Sequence, residues 1–185
     1  MKNILNLALV FILFFNIDLV LSHSGGLNSK GCHNNSKIGD YYCHIIKQKT
    51  YIKKYDRKIF KYKSYLPNTD IGFYTKFICD TNIDHVVSLK DAYDSGGKYW
   101  NNELKELFAN DKHNHVPSCL RVNSSKGSST PSDFLRKSSD GKGMEYNIKS
   151  FCSYLGIYYQ VKIKYNLSFN NNKRELFSKC ELKIK

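Results

Sequence analysis

The stretch Ile83-Asp84-His85-Val86-Val87-Ser88-Leu89 decides how this chain is read, together with Asn114-His115-Val116-Pro117-Ser118-Cys119-Leu120-Arg121-Val122-Asn123-Ser124-Ser125-Lys126-Gly127. In the first piece a carboxylate and an imidazole stand side by side in an apolar run. Residues 77–87 read as a strand with a break at Asp80-Thr81-Asn82. In the second piece Val116 to Cys119 reads as a short strand, and Arg121 to Lys126 opens a helix. Strand, excursion, strand and helix form a compact unit that would gather Asp84, His85, Asn114 and Asn123 around one point.

Each residue type suits metal-assisted cleavage of a phosphodiester. The Asp84 carboxylate and the Asn123 amide oxygen are hard donors of the kind Mg²⁺ takes. They leave coordination positions for water and phosphate. His85, with an ordinary pKa near ~6.5, is the expected base for the attacking water. Asn114 is expected to tie the loop to the strand and hold the His85 ring. Lys126 and Arg121 are the expected phosphate contacts. An Asp-His dipeptide alone carries almost no information; the joint spacing does.

Working outward, Asp94-Ser95-Gly96-Gly97 breaks the chain. Asn101 to Asn110 carries Leu104, Leu107 and Phe108 at helical spacing, with Asn101 or Asn102 as N-cap. Pro131 precedes another turn or two of helix over 132–137, and residues 139–143 read as a loop. Met144 to Tyr165 is the longest helix expected, with Ile148, Phe151, Cys152, Leu155 and Tyr159 on its apolar face. Residues 48–77 interleave Lys and Arg with Tyr and Phe, and Pro67-Asn68-Thr69-Asp70 reads as a turn. That composition suits a surface that tracks a phosphate backbone and stacks bases. It equally suits a connection whose aromatics face inward.

The N-terminus reads as a targeting segment. Lys2 precedes an apolar run over 4–15 that is too short to span a bilayer, and Val20 and Ser22 fit the small positions of a cleavage site before His23. No later segment is apolar enough to span a membrane. The expected divisions are a signal peptide over 1–22, a Cys/His-rich module over 23–47, and one domain over 48–185 with its core at 79–137. The formal charge is +13, and Lys2 and Asp18 cancel, so the mature chain keeps it. Such a charge favours polyanionic partners. With 41% hydrophobic residues, 14 Tyr and 11 Phe, a packed core is expected and a disordered chain is excluded.

Six cysteines in an exported chain point to disulfides, with 15 pairings allowed. In the first module Cys32-His33 and Cys43-His44 stand eleven residues apart. Two readings stay open there: a Cys2His2 metal site, or a Cys32–Cys43 disulfide with histidines nearby.

Asp84-His85-Val86-Val87-x-Leu89, Ser95-Gly96, Trp100, Phe108-Ala109-Asn110-Asp111, Asn114, Asn123-Ser124-Ser125-Lys126-Gly127 and Pro131-x-x-Phe134-Leu135 together resemble the HNH, or ββα-metal, endonucleases. The similarity is to the subfamily of exported bacterial nucleases whose pattern also closes GmrSD-type restriction enzymes. It runs over about 79–137 and continues weakly to about 169. Residues 23–44 resemble the HSGG…GCH…GxYxCH motif often placed ahead of such domains. The resemblance implies His85 as general base, Asp84 and Asn123 as metal ligands, and Asn114 as a structural asparagine. Two positions depart from it: Ser88 stands where the family has Pro, and His115 where it has Leu. His115, with His113 nearby, opens Zn²⁺ or Ni²⁺ as inhibitors or cofactors; the other reading makes the two histidines surface residues on a loop. In this layout Cys79 leads into the first strand and Cys119 ends the second. Antiparallel pairing would bring these two together, and the expected bridges are Cys79–Cys119, with Cys32–Cys43 in the first module and Cys152–Cys180 pinning the tail.

The expected fold class is α+β: a ββα-metal core with added helices and a small Cys-rich N-terminal module. The expected function is an exported, periplasmic or secreted endonuclease, dependent on one divalent metal ion. Mg²⁺ comes first, with Mn²⁺ and Zn²⁺ open, and the substrate is DNA, with RNA open. The rival is a non-catalytic nucleic-acid- or metal-binding protein on the same scaffold.

Overall fold

The computed structural model describes residues 32–35, 40–43, 54–135 and 147–184. The expected signal peptide, its cleavage site and the loop over 139–143 lie outside the described residues. So do the side chains of His33, Cys43 and His44. No described helix is long and apolar enough to cross a membrane.

The chain is α+β. Its N-terminal module is a two-stranded antiparallel ribbon of β1 (Cys32–Asn35) and β2 (Asp40–Cys43), with Cys32 opposite Cys43. Cys32 is disulfide-bonded, which favours a covalent staple over a thiolate ligand. A short 3-10 turn, Arg57–Phe60, follows, capped by the Asp56 carboxylate. Phe60 is fully buried, while Lys58, Lys61 and Lys63 are exposed. The basic, aromatic connection thus turns this aromatic ring inward and these cations outward.

The central unit begins with β3 (Thr81–His85). Helix α1 (Leu89–Asp94) follows, capped by Ser88, whose hydroxyl accepts from Asp91 N at 3.0 Å. Ser88 therefore serves as an N-cap at the position where the sequence pattern has Pro. Helix α2 (Asn102–Ala109) is capped by Asn101, as expected. Strand β4 (His115–Cys119) pairs antiparallel with β3, placing Asp84 opposite Val116 and His85 opposite His115. Helix α3 (Leu120–Lys126) leaves β4 with no intervening loop and ends at Gly127, whose positive φ of 51° glycine adopts readily. The Cys79–Cys119 bridge closes the open end of the strand pair. Gly72 lies against it: a Cβ there would sit 2.5 Å from Cys119 Sγ.

Helices α4 (Pro131–Phe134), α5 (Phe151–Lys164) and α6 (Arg174–Ser178) complete the domain. The long helix starts at 151, not 144. Lys149 N and Ser150 N both donate to Tyr74 O, and Ser150 Oγ donates to Phe73 O, so residues 149–150 are held by another segment. The inward stripe is also rotated from the one expected. Tyr154, Leu155, Tyr158, Val161 and Lys162 are buried, whereas Cys152 is exposed and bridges to Cys180 on the far side of α6. Two disulfides of this kind are compatible with an extracellular or periplasmic protein.

Lys162 is buried because α5 meets α1 through a polar cluster. Its ammonium donates to Asp91 Oδ1 at 2.7 Å and to Ser95 Oγ at 2.7 Å, and Tyr158 donates to Asp91 Oδ2 at 2.7 Å. Removing one partner leaves a buried charge. Lys162→Ala is expected to lower unfolding free energy by about 3–5 kcal/mol. Urea denaturation without reductant checks this, and a loss below about 1 kcal/mol would show that water reaches Asp91.

Candidate functional site

Strand β3 delivers Asp84 and His85 to opposite faces of the ribbon, because successive side chains alternate. Asp84 points toward α3. Its carboxylate accepts from Lys126 Nζ at 3.1 Å and from Tyr74 Oη at 2.5 Å. Burial pushes the Asp84 carboxyl up from its ordinary pKa, while Lys126 and Tyr74 pull it back. Lys126 is itself fully buried, and its ammonium also donates to His85 O at 2.8 Å.

This corrects one expectation. Lys126 does not present its charge to a phosphate; it neutralises Asp84 and fastens α3 to β3. The reason is helical geometry. Asn123 and Lys126 stand three apart on α3 and share a face. Asn123 Nδ2 reaches back to Asn82 Oδ1 at 2.7 Å, so Lys126 also turns toward β3. Arg121 is exposed on α3 and is not among the residues lining the cleft described below.

His85 points the other way, toward α2. Its Nε2 lies 2.8 Å from Ala109 O. A carbonyl only accepts, so this contact places the proton of the neutral ring on Nε2 and leaves Nδ1 as the acceptor. Burial drives the His85 pKa down to about 3, and the nearby charges of His115, Arg57 and Lys126 act in the same direction. The ring is therefore neutral at physiological pH. Tyr62 packs edge-on against it at 4.6 Å between centroids.

Asn114 is fully buried, but it does not hold the His85 ring as expected. Its amide brackets the next residue but one: Val87 N donates to Oδ1 at 2.8 Å, and Nδ2 donates to Val87 O at 3.0 Å. With Val86 N on Asn114 O at 2.8 Å, these bonds extend the β3–β4 ladder past His85. The strand is locked; the ring is oriented by Ala109. In Phe108-Ala109-Asn110-Asp111, each residue has a task. Phe108 is core, Ala109 O faces His85, Asn110 bonds the backbone of Lys61 and Lys63, and Asp111 takes bonds from Lys164 and Tyr165.

Asp84, His85 and Asn123 line one cleft of about 380 Å³ with Tyr55, Arg57, Ser88, Lys90 and Gly127. The reading of the sequence did not single out Arg57. It is exposed, yet close enough that its charge lowers the pKa of both Asp84 and His85. Its only sequence signal was membership of the basic connection. With Asp84 balanced by Lys126, Arg57 and Lys90 give this wall a positive balance. Lys90 shares its charge with Asp94 at 2.6 Å.

The donor set can be tested for a hard divalent ion. Asn123 Nδ2 is committed to Asn82, which turns Asn123 Oδ1 away from that bond. A carboxylate has about four lone-pair positions, and Tyr74 and Lys126 leave Asp84 at least one. One carboxylate and one amide oxygen, completed by water and phosphate, are the small set Mg²⁺ accepts. Among the described residues, no group of three or more His, Cys, Asp and Glu is arranged to hold a metal. The fit is thus to a sparse oxygen site, not to an all-protein cage. In the N-terminal module, Cys32 is committed to a disulfide and the remaining candidate side chains lie outside the described residues.

The chain matches no family model, no curated protein and no solved structure. The resemblance described above therefore rests on the motif residues themselves.

The depressed His85 pKa makes stability depend on pH. Unfolded, the ring binds a proton near 6.5; folded, only near about 3. Between these values the unfolded chain holds more protons, so the contribution is complete above 6.5 and is lost as pH falls toward 3. The half-buried His115 ring, also lowered by partial burial, adds in the same direction. Unfolding free energies from urea titration are expected to fall from pH 7 to pH 5 by up to about 1.4 kcal/mol per pH unit for the His85 ring. His85→Asn is expected to flatten that slope. A wild-type slope that His85→Asn leaves unchanged would assign the effect to other groups.

Proposed function

We propose that this chain is a metal-dependent phosphodiesterase acting on nucleic acid, with His85 as general base. The observation that carries the proposal is the His85–Ala109 contact in the cleft wall. It leaves a neutral imidazole with Nδ1 as acceptor in a cleft that Asp84, Asn123 and Arg57 also line. The ordered β3, β4 and α3, with Asp84-His85 ending the first strand and Asn123 in the helix, support the ββα-metal reading.

In this mechanism Asp84 Oδ1 and Asn123 Oδ1 would hold the ion. When bound, a divalent ion stabilises negative charge on the scissile phosphate and the leaving oxygen. Arg57 contacts the incoming phosphate and aligns it. His85 Nδ1 takes the proton of the attacking water, while Nε2 keeps its proton on Ala109 O. A base whose pKa sits near 3 is weak in the empty cleft. A bound phosphodiester supplies the negative charge that stabilises the imidazolium, so the base strengthens when substrate is present. Lys126 holds the Asp84 carboxylate in place and makes no contact with substrate. The exposed cations of the 57–63 connection and the +13 formal charge favour backbone contact without base readout.

Mature protein incubated with plasmid and Mg²⁺ or Mn²⁺ is expected to nick and then degrade it, with EDTA abolishing cleavage. His85→Ala is expected to lower the rate by roughly 10²–10⁴-fold. Arg57→Ala is expected to lower it by roughly 10–100-fold, with weaker salt dependence of binding. DNA binding without product in any metal would favour the non-catalytic rival. Undiminished cleavage by His85→Ala would remove His85 from the mechanism.

A further inference from the structure

The pairing register sets His85 directly opposite His115. The two rings pack edge to face at 4.5 Å between centroids, and their Nε2 atoms lie 3.1 Å apart. Both nitrogens also approach one carbonyl: Ala109 O is 2.8 Å from His85 Nε2 and 3.0 Å from His115 Nε2. The three atoms form a closed triangle. Protons alone do not satisfy it. If both nitrogens carry hydrogen, two donors face each other; if one does not, its lone pair faces the carbonyl oxygen. A neutral imidazole keeps one lone pair on one of its two ring nitrogens.

We propose that this triangle is a binding site for a borderline transition-metal ion such as Zn²⁺, and that its occupation switches off the base. The role assigned to His85 rests on the function proposed above; the site itself does not. Ligands held cis on one Zn²⁺ at ~2.0–2.1 Å lie about 2.9–3.4 Å apart, close to the three edges seen here. An ion slightly off the plane of the triangle reaches both nitrogens and the carbonyl oxygen, with water in the remaining position. Tyr65 Oη lies 3.1 Å from His115 Nδ1, the outer partner that a metal-bound histidine requires. Tyr62 closes the other side, 4.6 Å from the His85 ring and 5.6 Å from the His115 ring.

Coordination through Nε2 uses the lone pair there, so the ring proton of His85 moves to Nδ1. That of His115 sits on its own Nδ1, where Tyr65 Oη accepts it. No proton is gained or lost. His85 Nδ1, the nitrogen that would accept from water, is now a donor. Inhibition thus follows from a tautomer change and needs no contact with substrate. The cations Arg57, Lys112 and Lys126 around the two rings oppose a dication, and Asp111 beside His115 favours it.

The test compares full mature wild type with His115→Gln and Tyr65→Phe, using Co²⁺ as a spectroscopic probe and Zn²⁺ as competitor. Wild type is expected to show a nitrogen-ligated Co²⁺ band that Zn²⁺ displaces and that is lost in His115→Gln. Tyr65→Phe is expected to bind roughly tenfold more weakly. Subtracting the His115→Gln spectrum removes any contribution from the N-terminal Cys-His module. In plasmid cleavage with Mg²⁺, Zn²⁺ is expected to slow wild type by more than about tenfold and to leave His115→Gln unaffected. Identical Co²⁺ spectra for wild type and His115→Gln overturn the site. Equal Zn²⁺ inhibition of the two overturns the switch. Absence of cleavage in every metal overturns the proposed function and with it the switch, while the Co²⁺ comparison still decides the site.

Discussion

The ion pair between Asp84 and Lys126 holds the centre of this domain together. Both side chains are withdrawn from water, and the ammonium spans from the carboxylate to the His85 carbonyl. It therefore fixes the last two residues of β3 against the last turn of α3. Each side chain alone would carry a heavy desolvation cost; together they satisfy each other, with the Tyr74 hydroxyl taking a further carboxylate position. Position and charge are set by one contact. The Asp84 carboxylate cannot swing out, and its charge is already balanced. Any further cation in the cleft must find its counter-charge elsewhere, which on the proposed reading is the phosphodiester.

A second constraint acts on His85 from the opposite face. The strand alternation that sends Asp84 toward α3 sends His85 toward α2, where the Ala109 carbonyl meets its Nε2. Adjacent residues thus answer to different elements, and neither side chain touches the other's anchor. Asn114 makes this stable through the backbone of Val87. By bracketing Val87, it keeps the two strands in register past the point where the two-residue site ends. A slip of one residue would exchange the faces and put the carboxylate where the imidazole belongs.

Much of this unit was legible in the sequence. The two short strands and the Asn101 cap followed from local patterns, the Cys79–Cys119 bridge from the two-strand layout, and the Cys152–Cys180 bridge from a cysteine in the tail that could pin it to the long helix. What was missed depends on tertiary partners. Lys162 reads as part of a polar face, and only Asp91 on α1 makes it an interior residue. Helices α1 and α6, of six and five residues, are too short for periodicity to reveal. Ser88 was noted as a departure from a pattern, not as a cap. Arg57 lies some thirty residues ahead of the cleft it lines, and no local spacing connects the two.

Lys126 is the instructive case, because the information was present. A lysine beside an expected phosphate site invites the reading of a phosphate contact. Helical spacing says otherwise. Once Asn123 is required to face β3, a residue three positions later must face β3 too. That face is where a buried carboxylate waits. A carboxylate inside a strand in an apolar run needs a cation, and the helix that follows the second strand offers Lys126 on the correct side. The demand for charge balance in the interior therefore assigns the lysine before any consideration of substrate. On the proposed reading Arg57, planar and outside the core, is left to meet the phosphate.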